Sequence, residues 1–194
     1  MAANGNDIAL GSPAAPFRLP EPSTGKTVAL DDFKDAKAVL VAFYSNRCPF
    51  VVHIRESFND LARDYAQRGL AVIAINANDV ETHPLESAEK IAEEVAEHGL
   101  VFHYLRDDSQ DIARAYEAAC TPDLFLYDQE RKLFYHGQFD DSRPKGEEAA
   151  TGRDLRAAVD RLLSGQSAPA EQKSAIGCGI KWKAGQEPAW HAAA

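Results

Sequence analysis

The chain has 194 residues, 45% hydrophobic and 26% charged, which is the composition of a globular domain with one full core rather than of a disordered or membrane-embedded chain. A formal net charge of −9 opposes non-specific binding to nucleic acid, whose phosphates need cations to displace their counterions. No apolar run approaches a membrane span, and the first ten residues have neither the basic opening nor the apolar stretch of a secretory signal, so a cytoplasmic protein without membrane attachment is expected.

Residues 11–36 carry Pro13, Pro16, Pro20 and Pro22 among short apolar pieces, Phe17–Leu19 and Thr27–Leu30, and read as a loop with small strands. Ala38–Phe43 is a continuous β-branched-rich apolar run, the pattern of a strand buried on both faces. Pro49 suits a first helical position, and Val52, Ile54, Phe58, Leu61, Ala62 and Tyr65 continue a helix to Gly69. Leu70–Ile75 is a second buried strand, which makes a parallel strand–helix–strand crossover. An acidic helix over 86–98 stops at Gly99, and a short one is predicted over Asp111–Ala118.

Asp123–Asp128 and Lys132–Phe139 then flank a polar turn and predict a hairpin. Thr151 is placed to cap a last helix, Gly152–Leu163, that ends at Ser164-Gly165. The organisation is therefore one α/β domain over 1–165 and a tail over 166–194. That tail has no helical period but contains Cys178, Ile180 and Trp182, and it does not read as wholly disordered.

Cys48 closes the first buried strand and opens the first long helix, in Ser45-Asn46-Arg47-Cys48-Pro49-Phe50-Val51. Free N–H groups and the positive end of the helix dipole favour an anion there, which suits a nucleophilic thiolate. A lone cysteine after a strand is often only a small core residue, but Pro49 and the polar residues before it favour function. Position 51 is Val, so the spacing Cys-x-x-Cys is absent and any partner thiol is distant.

Three cysteines are too few for a secreted disulfide scaffold. If the hairpin's first strand runs antiparallel to the strand ending at Phe43, Cys120 reaches the rim of Cys48. The hairpin's exit, Asp140-Asp141-Ser142-Arg143-Pro144, returns to the same rim and nominates Arg143 as a cation for a thiolate or a substrate oxygen. Taken alone, Cys120 reads equally as packing or as a redox partner, Cys178 as an accessible thiol between two glycines or an incidental loop residue, and Arg143 as part of a solvated turn. His53 reads as structural. The histidines show no metal-ligand spacing, and neither a metal nor another cofactor is expected.

The order strand, helix, strand, helix, hairpin, helix is that of the thioredoxin fold, a central mixed sheet flanked by helices. With Ser45–Val51, Ala118–Asp123, Asp140–Pro144 and Ser174–Lys183 in view, the chain resembles the peroxiredoxin-like AhpC/TSA branch of that superfamily, from about Pro16 to Pro188. The resemblance implies a cis peptide between Thr121 and Pro122 beside the nucleophile, and a peroxidatic role for Cys48.

It further implies antioxidant oxidoreductase activity on a small hydroperoxide or disulfide, with Cys120 or Cys178 resolving the oxidised Cys48. Asn46, Arg47, Pro49, Thr121 and Pro122 would line the substrate site. Reductants would be thioredoxin, glutathione or another thiol, and a homodimer is compatible. Two positions depart from the peroxiredoxin pattern Pro-x-x-x-(Thr/Ser)-x-x-Cys: Val41 stands at the proline place and Tyr44 at the hydroxyl place. Thiol–disulfide exchange through Cys48 and Cys120, and a non-catalytic redox sensor, remain alternatives.

Overall fold

The apolar run Ala38–Phe43 is the spine of the molecule, since each of its residues is buried and successive side chains supply opposite cores. The computed structural model describes residues 2–190; Met1 and the last four residues of the expected domain and tail lie outside the described residues. In chain order the strands and helices are β1 (Ala2–Asn4), the hairpin β2 (Arg18–Glu21) and β3 (Lys26–Ala29), β4 (Ala38–Phe43), α1 (Pro49–Ala66), β5 (Leu70–Asn76), α2 (Ala88–His98) and β6 (His103–Arg106). There follow α3 (Asp111–Ala115), β7 (Cys120–Thr121), β8 (Asp123–Tyr127), β9 (Leu133–Gly137), α4 (Arg153–Leu163) and β10 (Ile176–Gly179).

The central sheet has the order β6-β5-β4-β8-β9, with β4, β5 and β6 parallel and β8 antiparallel to both β4 and β9. Leu40 and Ala42 of β4 face a core shared with Phe58 of α1, Ile91 of α2 and Leu155 of α4. Val39, Val41 and Phe43 face the other core, with Ile73, Phe125, Ala113 of α3, and Ile180 and Trp182 of the tail. No helix among the described residues is long and apolar enough to cross a membrane.

Three local details differ from the sequence reading. β6 was not predicted, because His103-Tyr104-Leu105-Arg106 is a four-residue edge strand with too few apolar positions to show a period. The tail, for which no element was predicted, contributes a strand: β10 lies between β1 and β7 in a three-stranded antiparallel sheet. Thr151 does not cap α4. The cap position is Gly152 at φ 68°, where a Cβ would meet the Phe139 ring at 2.6 Å, and the capping acceptor comes from another element.

That acceptor is the Phe139 carbonyl, which takes the Leu155 N–H at 3.3 Å, and Asp140, at the exit of β9, holds the turn before the helix. Its carboxylate takes the N–H groups of Thr151 at 2.6 Å and Gly152 at 2.7 Å, and the Ser142 hydroxyl at 2.5 Å. Burial by itself raises the carboxyl's pKa, but these hydrogen bonds to the charged form outweigh it and hold the group below its ordinary value of 3.8. A depressed carboxyl contributes stability above its unfolded pKa and loses it as pH falls through the folded one. Asp140→Asn should cost about 1–3 kcal/mol at pH 7, the range for hydrogen bonds to a charged group. In urea unfolding at a series of pH values, the gap between variant and wild type should narrow steadily below about pH 4.

Candidate active site

Cys48 is the N-cap of α1, with extended backbone at φ −64° and ψ 122°, and Pro49 takes the first helical position. Its N–H donates to Ser45 Oγ at 3.0 Å, so the loop before the helix is closed by a side chain. The Cys48 Sγ makes no cap to the helix backbone; its thiol donates to the carbonyl of Thr121 at 3.0 Å. The residue is only 5% exposed, so whatever reacts there enters a narrow opening.

The peptide between Thr121 and Pro122 is cis, and β7 immediately before it pairs with β10 in the register Cys178↔Thr121 and Gly179↔Cys120. A Cβ at Gly177 would lie 2.1 Å from the Thr121 carbonyl oxygen, so only glycine lets β10 approach the loop this closely. This approach puts Cys178, half-buried, against Cys48. Burial, and after it the neighbouring Cys48 thiol, push the Cys178 thiol up to about 12. Cys120 is fully buried, and its pKa is raised well above the ordinary value by burial, then by the Asp123 charge, then by the other two thiols. Asp123 is itself held by the Ala119 N–H at 3.0 Å and by His136 Nε2 at 2.7 Å. The structure thus gathers Cys48, Cys120 and Cys178 around Thr121.

The other residues singled out from sequence divide. Pro49 and Arg47 are exposed beside Cys48, whereas Pro122 is buried. Asn46 turns inward: its N–H donates to Glu86 at 2.9 Å, and its side chain engages the Leu85 carbonyl and the Tyr104 hydroxyl. Arg143 lies on the wall of a cleft that Phe50, Pro122 and Ile176 also line. Its guanidinium is taken up by the carbonyls of Asp140 at 2.8 Å and Ser142 at 2.7 Å and by Gln138 Oε1 at 2.8 Å. No hydrogen bond or ion pair joins it to a cysteine among the described residues. His53 lines the same cleft and meets Ser142 Oγ at 2.9 Å. Val41 and Tyr44 are both core residues; the Tyr44 ring packs among Phe58, Phe102 and Tyr104.

Sequence reasoning missed Glu86. This carboxylate is 3% exposed at the end of a short helical turn, Pro84–Glu86, and it accepts the Ser45 hydroxyl at 2.7 Å and the Asn76 amide at 2.6 Å. The only signal was a cluster of polar residues, Asn76, Asn78 and Asp79, flush against the end of an apolar strand.

The mixed sheet, the cis-proline loop and a cysteine at the start of the first long helix define a thioredoxin-like protein. The AhpC/TSA family pattern matches residues 10–136, and the chain belongs to that family. Among solved structures, it is similar to a hypothetical protein of Sinorhizobium meliloti 1021, at 55% identity and TM-score 0.92, covering 94% of this chain and 99% of that one. It is also similar to an uncharacterized conserved protein of Geobacillus kaustophilus, at 43% identity and TM-score 0.92, covering 95% and 97% of the two chains. Peroxidoxin BcpB of Mycobacterium tuberculosis shares the fold at 18% identity and TM-score 0.58, covering 81% and 96%. A comparison with curated proteins gives no match.

Two outcomes follow from this packing. Gly177→Ala should destabilise the protein by about 1–3 kcal/mol through overpacking against Thr121, measured by denaturant titration. At neutral pH, iodoacetamide should label the half-buried Cys178 slowly and Cys120 only on unfolding, because burial favours their protonated forms and a protonated thiol is a poor nucleophile; peptide mass mapping of a labelling time course checks the order.

Proposed function

We propose that this protein is a two-cysteine thiol peroxidase. The Cys48 thiolate attacks one oxygen of a hydroperoxide; the O–O bond breaks, Cys48 becomes a sulfenic acid, and the departing oxygen leaves as an alcohol or water after taking a proton. The Cys178 sulfur then attacks the Cys48 sulfur, water leaves, and a Cys48–Cys178 disulfide forms. Two thiols, from one dithiol such as thioredoxin or from two molecules of a monothiol such as glutathione, return the pair to the reduced state by exchange, and are themselves oxidised to a disulfide.

The observation that carries this reading is the register of β10 on β7, which pairs Cys178 with Thr121, the residue whose carbonyl accepts the Cys48 thiol. It favours Cys178 over Cys120 as the resolving thiol, since Cys120 is fully buried whereas Cys178 is only half-buried. The narrow exposure of Cys48 favours a small oxidant. Arg47, Pro49, Thr121 and Pro122 are the residues such a substrate would meet first, and Arg143 would act from the cleft wall only after leaving its own loop carbonyls.

A second reading, thiol–disulfide exchange through the same cysteines, is favoured by Val41 and Tyr44, since a tyrosine buried in the core replaces the Ser or Thr that a peroxiredoxin uses to orient peroxide. Hydrogen peroxide consumption and insulin reduction, each with excess dithiol, separate the two. Wild type should consume peroxide over many turnovers, Cys48→Ser should lose activity to the uncatalysed level, and Cys178→Ser should fall at least about tenfold, roughly the loss of one well-oriented reacting group. Cys120→Ser should retain turnover. Insulin reduction without peroxide consumption would select the exchange reading, and a single oxidation without turnover would select a sensor.

A further inference from the structure

Behind the thiols runs one buried polar chain, from the Cys48 N–H to the backbone of Lys181 in the tail. At one end, Ser45 Oγ receives the Cys48 N–H at 3.0 Å and gives its own proton to Glu86 at 2.7 Å. Glu86 also accepts the N–H groups of Asn46 at 2.9 Å and Arg47 at 3.2 Å, so the whole loop before Cys48 hangs from one carboxylate. Glu86 is joined at 2.6 Å to the amide of Asn76, the last residue of β5. The Asn76 side-chain oxygen takes the Asn78 N–H at 3.1 Å and the Arg106 guanidinium at 3.2 Å, and Arg106 also donates to the Asn78 carbonyl at 2.8 Å.

At the other end, Asn78 Oδ1 accepts the N–H of Lys181 at 2.9 Å, and Lys181 returns its carbonyl to the Asp79 N–H at 2.8 Å and to Gln110 at 2.9 Å. Lys181 stands three residues after Cys178, and the residues between are pinned by the pairing of Gly179 with Cys120 and by the Ile180 N–H on the Ala119 carbonyl at 3.2 Å. Glu86, Asn76, Asn78 and Arg106 are each 5% exposed or less, so breaking any link strands a buried polar group, which is strongly unfavourable. Arg106 places a buried positive charge within the same chain that ends on Glu86.

We infer that Glu86, Asn76, Arg106 and Asn78 are positioning residues that hang the Cys48 loop and the Cys178 strand from one rigid frame, so that the disulfide closes with both thiols already in register. The inference rests on Cys178 as the resolving thiol. Its consequence is kinetic. The Cys48 sulfenic acid either condenses with Cys178, releasing water, or meets a second hydroperoxide, which passes on one oxygen to make a sulfinic acid and leaves as alcohol or water. A frame that holds the register favours condensation; a loosened one lengthens the sulfenic acid's lifetime.

The test uses the full-length protein, a stoichiometric hydrogen peroxide pulse, quenching with dimedone at successive times, and mass mapping of Cys48 as disulfide, dimedone adduct or sulfinic acid. Asn78→Ala removes the acceptor for the Lys181 N–H, and Asn78→Asp keeps an oxygen there. Lys181→Pro removes the donor instead, from a partly exposed tail residue, and carries the test if Asn78→Ala does not fold by circular dichroism.

Disulfide closure should slow about tenfold in Asn78→Ala and Lys181→Pro, the effect expected for loss of one buried hydrogen bond that orients reacting groups, with sulfinic acid rising in step. Closure should recover in Asn78→Asp; a merely structural loss would lower the melting temperature without this change in partition. Wild-type closure rates in Lys181→Pro, or in a folded Asn78→Ala, overturn the inference. A wild type whose Cys48 is oxidised without ever pairing to Cys178 overturns the two-cysteine reading, and the inference with it.

Discussion

The carbonyl of Thr121 is the point on which the rest of the site depends. It accepts the Cys48 thiol at 3.0 Å from one side, and from the other it lies against Gly177, where a Cβ would approach to 2.1 Å. One backbone oxygen therefore sets the position of the helix-start cysteine and the height at which the tail strand crosses. The cis peptide that follows it turns the chain into β8, which is locked to β4 over Val39–Phe43. The reactive rim is in this way a direct continuation of the best-buried strand pair in the molecule.

Two kinds of interaction share the work around that point. On the open side, contacts are short, apolar and tight, and they leave Cys48 nearly covered and Cys120 wholly so. On the buried side, carboxylate, amide and guanidinium groups satisfy one another from Ser45 to Lys181. Apolar packing has no preferred direction, whereas a satisfied buried hydrogen bond allows one orientation. The division of labour makes physical sense: burial keeps the thiols from bulk water, and the polar chain decides where their backbones sit. The cost of ionising a thiol under cover falls on Cys120 and Cys178, whose protonated forms are favoured.

Much of the architecture could be read from residue order. Ala38–Phe43 and Leu70–Asn76 are apolar runs of strand length, Pro49 marks a helix start, and the polar turn after Tyr127 marks a hairpin, all local signals with local causes. The failures also had local causes. β6 carries two apolar residues in four, and the turn that leads into α4 is held by Asp140, eleven residues before Thr151, so no pattern at the helix itself announces it. Topology carries Arg143 to the wall of the cleft that Phe50 and Pro122 line, but the chain's own carbonyls take its donors.

By itself the sequence determined the order of the longer elements, the fold class and the place of Cys48 at a strand-to-helix junction, because each of these follows from periodicity and from the backbone preferences of proline and glycine. Only the tertiary structure decided which part of the chain lies against the Cys48 loop. That choice depends on a strand made from the tail, on the single glycine that lets it pass Thr121, and on a carboxylate at position 86 reaching back to residue 45. Hydrogen bonds between residues so far apart leave no period in the chain, since nothing about a lone Glu or Asn reveals its partner until the backbone has folded around it.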